Sequence, residues 1–412
     1  MNTNKVLHSL PLLLLTATAA ASCKGPTGGD GGDDPPAVEL VSAGALEFGP
    51  DGVLFVGDSY GAQLVAIETG DTEPPANPMS IAFVEELDVE IAALLGTDPR
   101  QIVINDMAVN PQSQNIYFSV HIGRSIDPQP ALIRYDHDAG TLEPLDLAAL
   151  DMTTVALPNA PAFEEALQYG QSMRTMTVTD LTYYNGEVLV AGVSNQEFSS
   201  TLRRVAYPFT DAMTVSSVEI FHAAHDQQET RAPIVTSMVQ EIDGDPYLIA
   251  AYTCTPLARF PLNDLVDGAH VVGDTIAELG FGNAPVDMLV YQNPDFLGGD
   301  ERLLVTNDQR SAVSVSTALL GDAPALTEAV LFDTEGLDQF VMPLSGALHT
   351  DALNEQLIVT VRRNVQTGDL HLMSMLTGFF FEVSESIAEY NFPGVDPSPM
   401  EQTNPIDYGF ED

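Results

Sequence analysis

Residues 179–195 read TDLTYYNGEVLVAGVSN, two apolar runs on either side of Asn185-Gly186. An Asn-Gly pair between alternating apolar residues signals a two-residue hairpin, because both turn positions need positive φ. The layout recurs at 43–59 (AGALEFGPDGVLFVGDS), 105–121 (NDMAVNPQSQNIYFSVH), 236–254 (TSMVQEIDGDPYLIAAYTC), 286–308 (VDMLVYQNPDFLGGDERLLVTND) and 344–364 (LSGALHTDALNEQLIVTVRRN). Third strands follow, and Leu132-Ile133-Arg134-Tyr135, Leu202-Arg203-Arg204-Val205 and Leu257-Ala258-Arg259-Phe260 share an arginine at one register. Six units of about 50–75 residues, each able to hold four strands, predict an all-β chain closed as a six-bladed β-propeller. Seven blades is the alternative, because the stretch between the second and third units is the longest. There is no tryptophan and hence no WD dipeptide.

The repeat region is expected over 38–395, followed by an acidic tail at 396–412. Residues 38–48 and 379–392 are expected to share one blade and close the ring, which removes exposed sheet edges. Two helices are expected to interrupt the strands and cover one face. Phe83, Val84, Leu87, Ile91, Leu94 and Leu95 fall at helical spacing, with Gly96 placed as a C-terminal cap. The second runs from about Pro161, after a cap at Asn159, to Tyr169.

Residues 1–22 have the layout of a secretion signal: Lys5, the apolar run Leu7 to Leu15, then Ala19-Ala20-Ala21-Ser22. The apolar run is too short to span a bilayer. Ala20-Ala21-Ser22-Cys23 resembles a lipobox, the site at which bacterial lipoproteins are acylated on cysteine. Cys23 is therefore the expected lipidation site, and residues 23–37, rich in Gly, Asp and Pro, form a flexible tether. The expected address is the bacterial cell envelope through a lipid anchor, with a secreted or periplasmic protein as the alternative.

Asp and Glu number 59 against 14 Lys and Arg, a net charge of −45. So acidic a surface repels phosphate backbones, which excludes nucleic acid as a partner. Lysine occurs only at Lys5 and Lys24, so Schiff-base, P-loop and kinase-type chemistry is excluded from the body of the chain. A monomer is expected, with a small molecule or another protein as ligand.

Aligning the units brings polar residues to one channel mouth. The starts of the first strands hold Asn105-Asp106, Asp180 and Asp287. The loops after the second strands hold Asp58, His121, Asn195, Asn307-Asp308 and Arg362. Asp106, Asp180 and Asp287 are the expected metal ligands. Asp58, Asn105, Asn195, Asn307, Asp308 and Arg362 are expected to contact ligand, and His121, expected beside Asp106, is the candidate general base. Here the chain resembles the propeller superfamily of gluconolactonase-like and paraoxonase-like hydrolases. The resemblance implies a divalent cation, usually calcium, held in the channel by carboxylates and amides, and oxygen ligands suit such a hard ion.

Other motifs fit bland roles better. Gly57-Asp58-Ser59-Tyr60-Gly61 matches G-x-S-x-G, but a strand follows it where a nucleophile elbow needs a helix. His222 and His225 have no third ligand nearby in sequence. Asp136-His137-Asp138-Ala139-Gly140 reads as a hairpin turn, and Cys254 as an inert thiol. Two functions are consistent with this reading: an exported, membrane-tethered binding protein using the channel mouth, or a calcium-dependent lactonase or esterase.

Overall fold

A computed structural model describes residues 38–124, 128–166, 172–210, 212–308, 310–364 and 367–377. All lie in one compact unit beginning at Val38, so the lipidation site Cys23, the tether and the tail fall outside the described residues. The hairpins form where the turn chemistry demands. Asn185 and Gly186 have φ of 48° and 86°, and Asp243 and Gly244 have φ of 54° and 89°, the turn whose twist matches that of paired strands.

Four sheets have four antiparallel strands each. Leu46–Phe48, Val53–Asp58 and Gln63–Glu68 form the first, completed by the distant Asp151–Ala156. Ile102–Val109, Ile116–Ile122, Gln129–Asp136 and Thr141–Pro144 form the second without interruption. Pro285–Gln292, Glu301–Asn307 and Val313–Ser316 pair with Gln339–Val341 in the third. Ala347–Asn354, Leu357–Arg363 and Leu370–Leu376 take Phe83–Val84 as their outer strand in the fourth. The arrangement is propeller-like at this coarse level.

The expected six or seven separate blades are not what forms. The strands from Asp180 to Ala206 and from Ile234 to Pro261 belong to a single ten-stranded sheet. The cause is the length of Met213–His222. Its first residues pair with Ser200–Ala206, and the remainder runs parallel to His270–Glu278, from Ser217 opposite His270 to Ile220 opposite Gly273. His270 ties this seam, with its ring nitrogens 2.8 Å from Ser217 Oγ and 2.9 Å from Glu219 Oε2. The fourth strand of the first sheet is Asp151–Ala156; residues 379–392, the expected closing segment, lie outside the described residues.

One of the two expected helices forms. Leu87–Leu95 is α-helical, Gly96 caps it at φ 66°, and Leu87, Ile91 and Ala92 are buried among Ile102, Met107 and Leu372. Phe83 and Val84, expected in that helix, are a strand instead. The second helix is absent from the described part of its range, 161–166. Arg174 explains this: its guanidinium donates to Pro161 O at 2.9 Å and to Ser59 and Tyr60 carbonyls at 2.9–3.2 Å, drawing the segment out as a loop.

Between sheets the buried faces interlock. Leu54, Val56, Val65 and Ile67 meet Tyr117 and Leu132, and Phe55, Leu64 and Ala66 meet Val188 and Val190. Each fully buried Leu, Val, Ile or Phe side chain among these contributes about 1.5–3 kcal/mol. The shared arginines do not enter this core. Arg134 pairs with Glu143, Arg204 with Glu187 at 2.6 Å, and Arg259 with Asp274 at 3.0 Å.

Candidate functional site

Leu46–Phe48, Ile102–Val109, Asp180–Tyr184, Ile234–Ile242, Pro285–Gln292 and Ala347–Asn354 all contribute walls to one cavity of about 620 Å³. Each strand places one polar side chain at a matching position: Glu47, Asp106, Asp180, Ser237, Asp287 and Asp351. In five strands the next residue is a larger apolar one, Phe48, Met107, Leu181, Met238 or Met288, so alternation turns the polar neighbour to the cavity. Four of the strands also carry a register shift just before or within this stretch, between Ile104 and Asp106, Ile234 and Thr236, Pro285 and Asp287, and Ala347 and His349. A bulge re-aims the side chains that follow it.

The carboxylates lean sideways as well as inward. Asp106 accepts N–H bonds from Leu46 on the adjoining strand at 2.7 Å and from Met107 at 2.8 Å. Asp287 accepts from Thr350 at 2.7 Å and Met288 at 2.8 Å, and Asp351 from Val109 at 2.7 Å and Ala352 at 2.6 Å. Asp180 accepts the Ser237 hydroxyl at 2.6 Å. Each acid thereby clips one inner strand to the next and satisfies backbone donors that the gaps between sheets would leave unpaired.

These bonds do not offset the crowding. Two unit charges 4 Å apart repel by about 4 kcal/mol at an effective dielectric of about 20, and no lysine or arginine is among the lining residues. Desolvation, together with Asp351, Asp180 and Asp106, pushes the Glu47 carboxyl well above the usual carboxylate range. Asp287 is likewise well above it, through desolvation and then Asp106. Desolvation raises Asp180 to about 8, against the hydrogen bond from Ser237, and raises Asp351 to about 7, against its backbone N–H bonds. Each of these residues stays partly exposed, and each lines the cavity.

His349, on the strand that contacts both those of Asp106 and Asp287, completes a group whose ligand atoms all lie within 4.8 Å of one another. Its Nδ1 is 3.5 Å from Asp106 Oδ1. Asp106, Asp287 and His349 are thus a candidate metal-ligating cluster.

The cavity brings together Asn105, Asp106, Asp180 and Asp287 of the expected site residues. The others stand apart from it. Asp58 is fully buried and accepts from the Val41, Ser42 and Gly61 amides, the Ser42 hydroxyl and the Gln63 amide at 2.7–2.9 Å. His121 Nε2 accepts the Ala43 N–H at 3.0 Å, and burial lowers its pKa against the pull of Asp58. Asn195 is exposed, with Gln196 Nε2 on its Oδ1 at 2.7 Å. Asn307 is buried and donates to Ser311 O at 3.2 Å, Asp308 is exposed, and Arg362 donates to Ser345 O at 3.0 and 3.2 Å. Ser59 of the G-x-S-x-G stretch is buried in a strand–turn–strand and exchanges hydrogen bonds with the Val178 backbone, both at 3.0 Å.

Sequence reasoning missed Glu47, Asp351 and His349. The sixth strand begins at Ala347, three residues beyond the Leu344 from which the unit was counted. The available signal was an acid before an apolar residue, Glu47-Phe48 and Asp351-Ala352, in line with Asp106-Met107.

No family model matches the chain, and no curated protein matches it. Among solved structures, Semaphorin 2a from Drosophila is similar at 8% identity over 83% of this chain and 75% of that one, with a TM-score of 0.37. The extracellular domains 1–2 of Drosophila Semaphorin 1b give 10% identity over 83% and 86%, with a TM-score of 0.36. The PQQ-bound aldose sugar dehydrogenase of Streptomyces coelicolor gives 12% identity over 83% and 99%, with a TM-score of 0.33. These neighbours replace the expected likeness to gluconolactonase-like and paraoxonase-like hydrolases, and at such similarity they carry nothing about this chain's chemistry.

Proposed function

We propose that the protein is an exported binding protein whose ligand site is the carboxylate-lined cavity, and that the cavity takes a divalent cation, with calcium the first candidate. The observation that supports this is the convergence of Glu47, Asp106, Asp180, Asp287 and Asp351 on one space that holds no basic side chain except His349. Asp106 and Asp287 are the primary ligands, since each keeps lone pairs free beyond its two backbone bonds. Asp180 and the Asn105 side chain supply further oxygens, the donor type a hard cation prefers.

A ligand that binds only the folded state adds about 2.7 kcal/mol at a free concentration a hundredfold above Kd. Calcium should therefore raise the melting temperature, and the double substitution Asp106→Asn, Asp287→Asn should abolish the rise. Sodium at equal ionic strength is the necessary control, because screening alone stabilises so acidic a chain. An equal response to sodium, or an undiminished response of the double variant, would overturn the cation site.

The same proposal places the protein at the cell envelope, held by a lipid on Cys23. In detergent phase separation the parent should enter the detergent phase and Cys23→Ser the aqueous one. Identical partitioning would remove the anchor.

A further inference from the structure

A second cluster lies outside the cavity, where a tight hairpin meets a neighbouring loop. Met213–His222 turns through Ala223–His225 into Gln227–Glu229, with His222 opposite Gln227 and Ile220 opposite Glu229. The turn brings the His222 and His225 rings together, their centroids 3.9 Å apart and their planes tilted by 47°. Cys254, from the loop between Asp245–Tyr252 and Pro256–Pro261, arrives beside them. Ligand atoms of His222, His225 and Cys254 all lie within 4.8 Å of one another. Glu229 borders the group, its Oε1 3.1 Å from His225 Nδ1 and 3.7 Å from His222 Nδ1.

The partners of His222 decide which nitrogen is free. The Thr255 hydroxyl gives its single proton to Glu278 Oε2. It is then left only lone pairs for His222 Nε2, 3.4 Å away, so Nε2 carries the ring proton of the neutral imidazole. Nδ1 is left with its lone pair toward a carboxylate oxygen at 3.7 Å, too far for a hydrogen bond. A cation placed between that nitrogen and that carboxylate oxygen would be ligated by both. The Glu278–Thr255–His222 chain is also the outer arrangement that orients a metal-binding histidine.

We propose that His222, His225 and Cys254 form a binding site for a divalent transition ion of the zinc class, with Glu229 or water in the fourth position. Two imidazoles and a thiolate select a borderline-soft ion over calcium or magnesium. A tetrahedral zinc ion needs its nitrogen and sulfur ligands about 3.3–3.7 Å apart. His225 and Cys254 are exposed, so side-chain rotation can close the present spacing while the buried His222 stays fixed. None of the three lines the carboxylate cavity, so the site stands or falls independently of it.

Cobalt(II) tests this, because a thiolate ligand gives it a charge-transfer band that oxygen and nitrogen ligands do not. The full chain carrying Cys23→Ser, whose only thiol is Cys254, is stripped with chelator under reducing conditions and titrated with cobalt. The expected result is the charge-transfer band with tetrahedral d–d absorption, saturating at one ion per chain. An equivalent of zinc should displace it, and excess calcium should not. Cys254→Ser should lose the charge-transfer band with an unchanged melting curve in metal-free buffer, and His225→Ala should weaken binding at least tenfold. Asp106→Asn with Asp287→Asn should leave the band intact. No charge-transfer band, a band that survives Cys254→Ser, or one lost in the cavity variant would each overturn the proposal.

Discussion

Asp58 shows how a residue's partners separate structure from function. Its position at the end of a second strand suggests ligand contact, yet both oxygens are spent within the protein. Five donors converge on a fully buried carboxylate, and they come from the 41–42 segment, Gly61 and Gln63. Removing the buried acceptor leaves those donors unpaired, and each buried donor left unsatisfied costs about 1–3 kcal/mol. Asp58→Ala should therefore lower unfolding stability in urea by at least that amount, while the melting rise produced by calcium persists. A loss below about 1 kcal/mol would show that water replaces the carboxylate. The cavity acids differ in kind. Asp106, Asp287 and Asp351 each accept two backbone N–H bonds and still face open space.

At the scale of elements, local contacts were readable and distant ones were not. Hairpins such as Asp180–Tyr184 with Glu187–Val193 follow from alternation and an Asn-Gly turn, both contained in a short window. Outer strands depend on partners far along the chain. Asp151–Ala156 joins Gln63–Glu68, and Phe83–Val84 joins Leu370–Leu376, pairings that no local pattern encodes. Phe83 and Val84 have helical spacing with Leu87 and Ile91, but the edge of that sheet recruits them first. The parallel seam of Met213–His222 with His270–Glu278 is another such case, and it is what makes one sheet of two meanders. The site shared this division. Asp106, Asp180 and Asp287 were legible because each follows a recognisable repeat start. Glu47 sits in a strand of three residues, and Asp351 in a strand whose start was misplaced. Cys254 could not be linked to His222 by spacing, since the fold rather than the sequence brings them together.

For the whole molecule, the acidity of the chain and the crowding in the cavity combine into a dependence on protons. Glu47, Asp180, Asp287 and Asp351 all have folded pKa values above those of an unfolded chain. The stability they contribute is complete below the ordinary carboxylate pKa of about 4. It is lost as pH rises through the folded values, about 7 for Asp351 and about 8 for Asp180. The cation proposed for the cavity would take over the work of those protons and expel them. The most direct measurement is a calcium titration of the full chain in weak buffer at pH 7, following bound calcium and released acid together. The expected result is one ion bound per chain with release on the order of one proton, both absent from Asp106→Asn with Asp287→Asn. Calcium bound with no proton released, or no calcium bound at all, would contradict the cation-binding cavity.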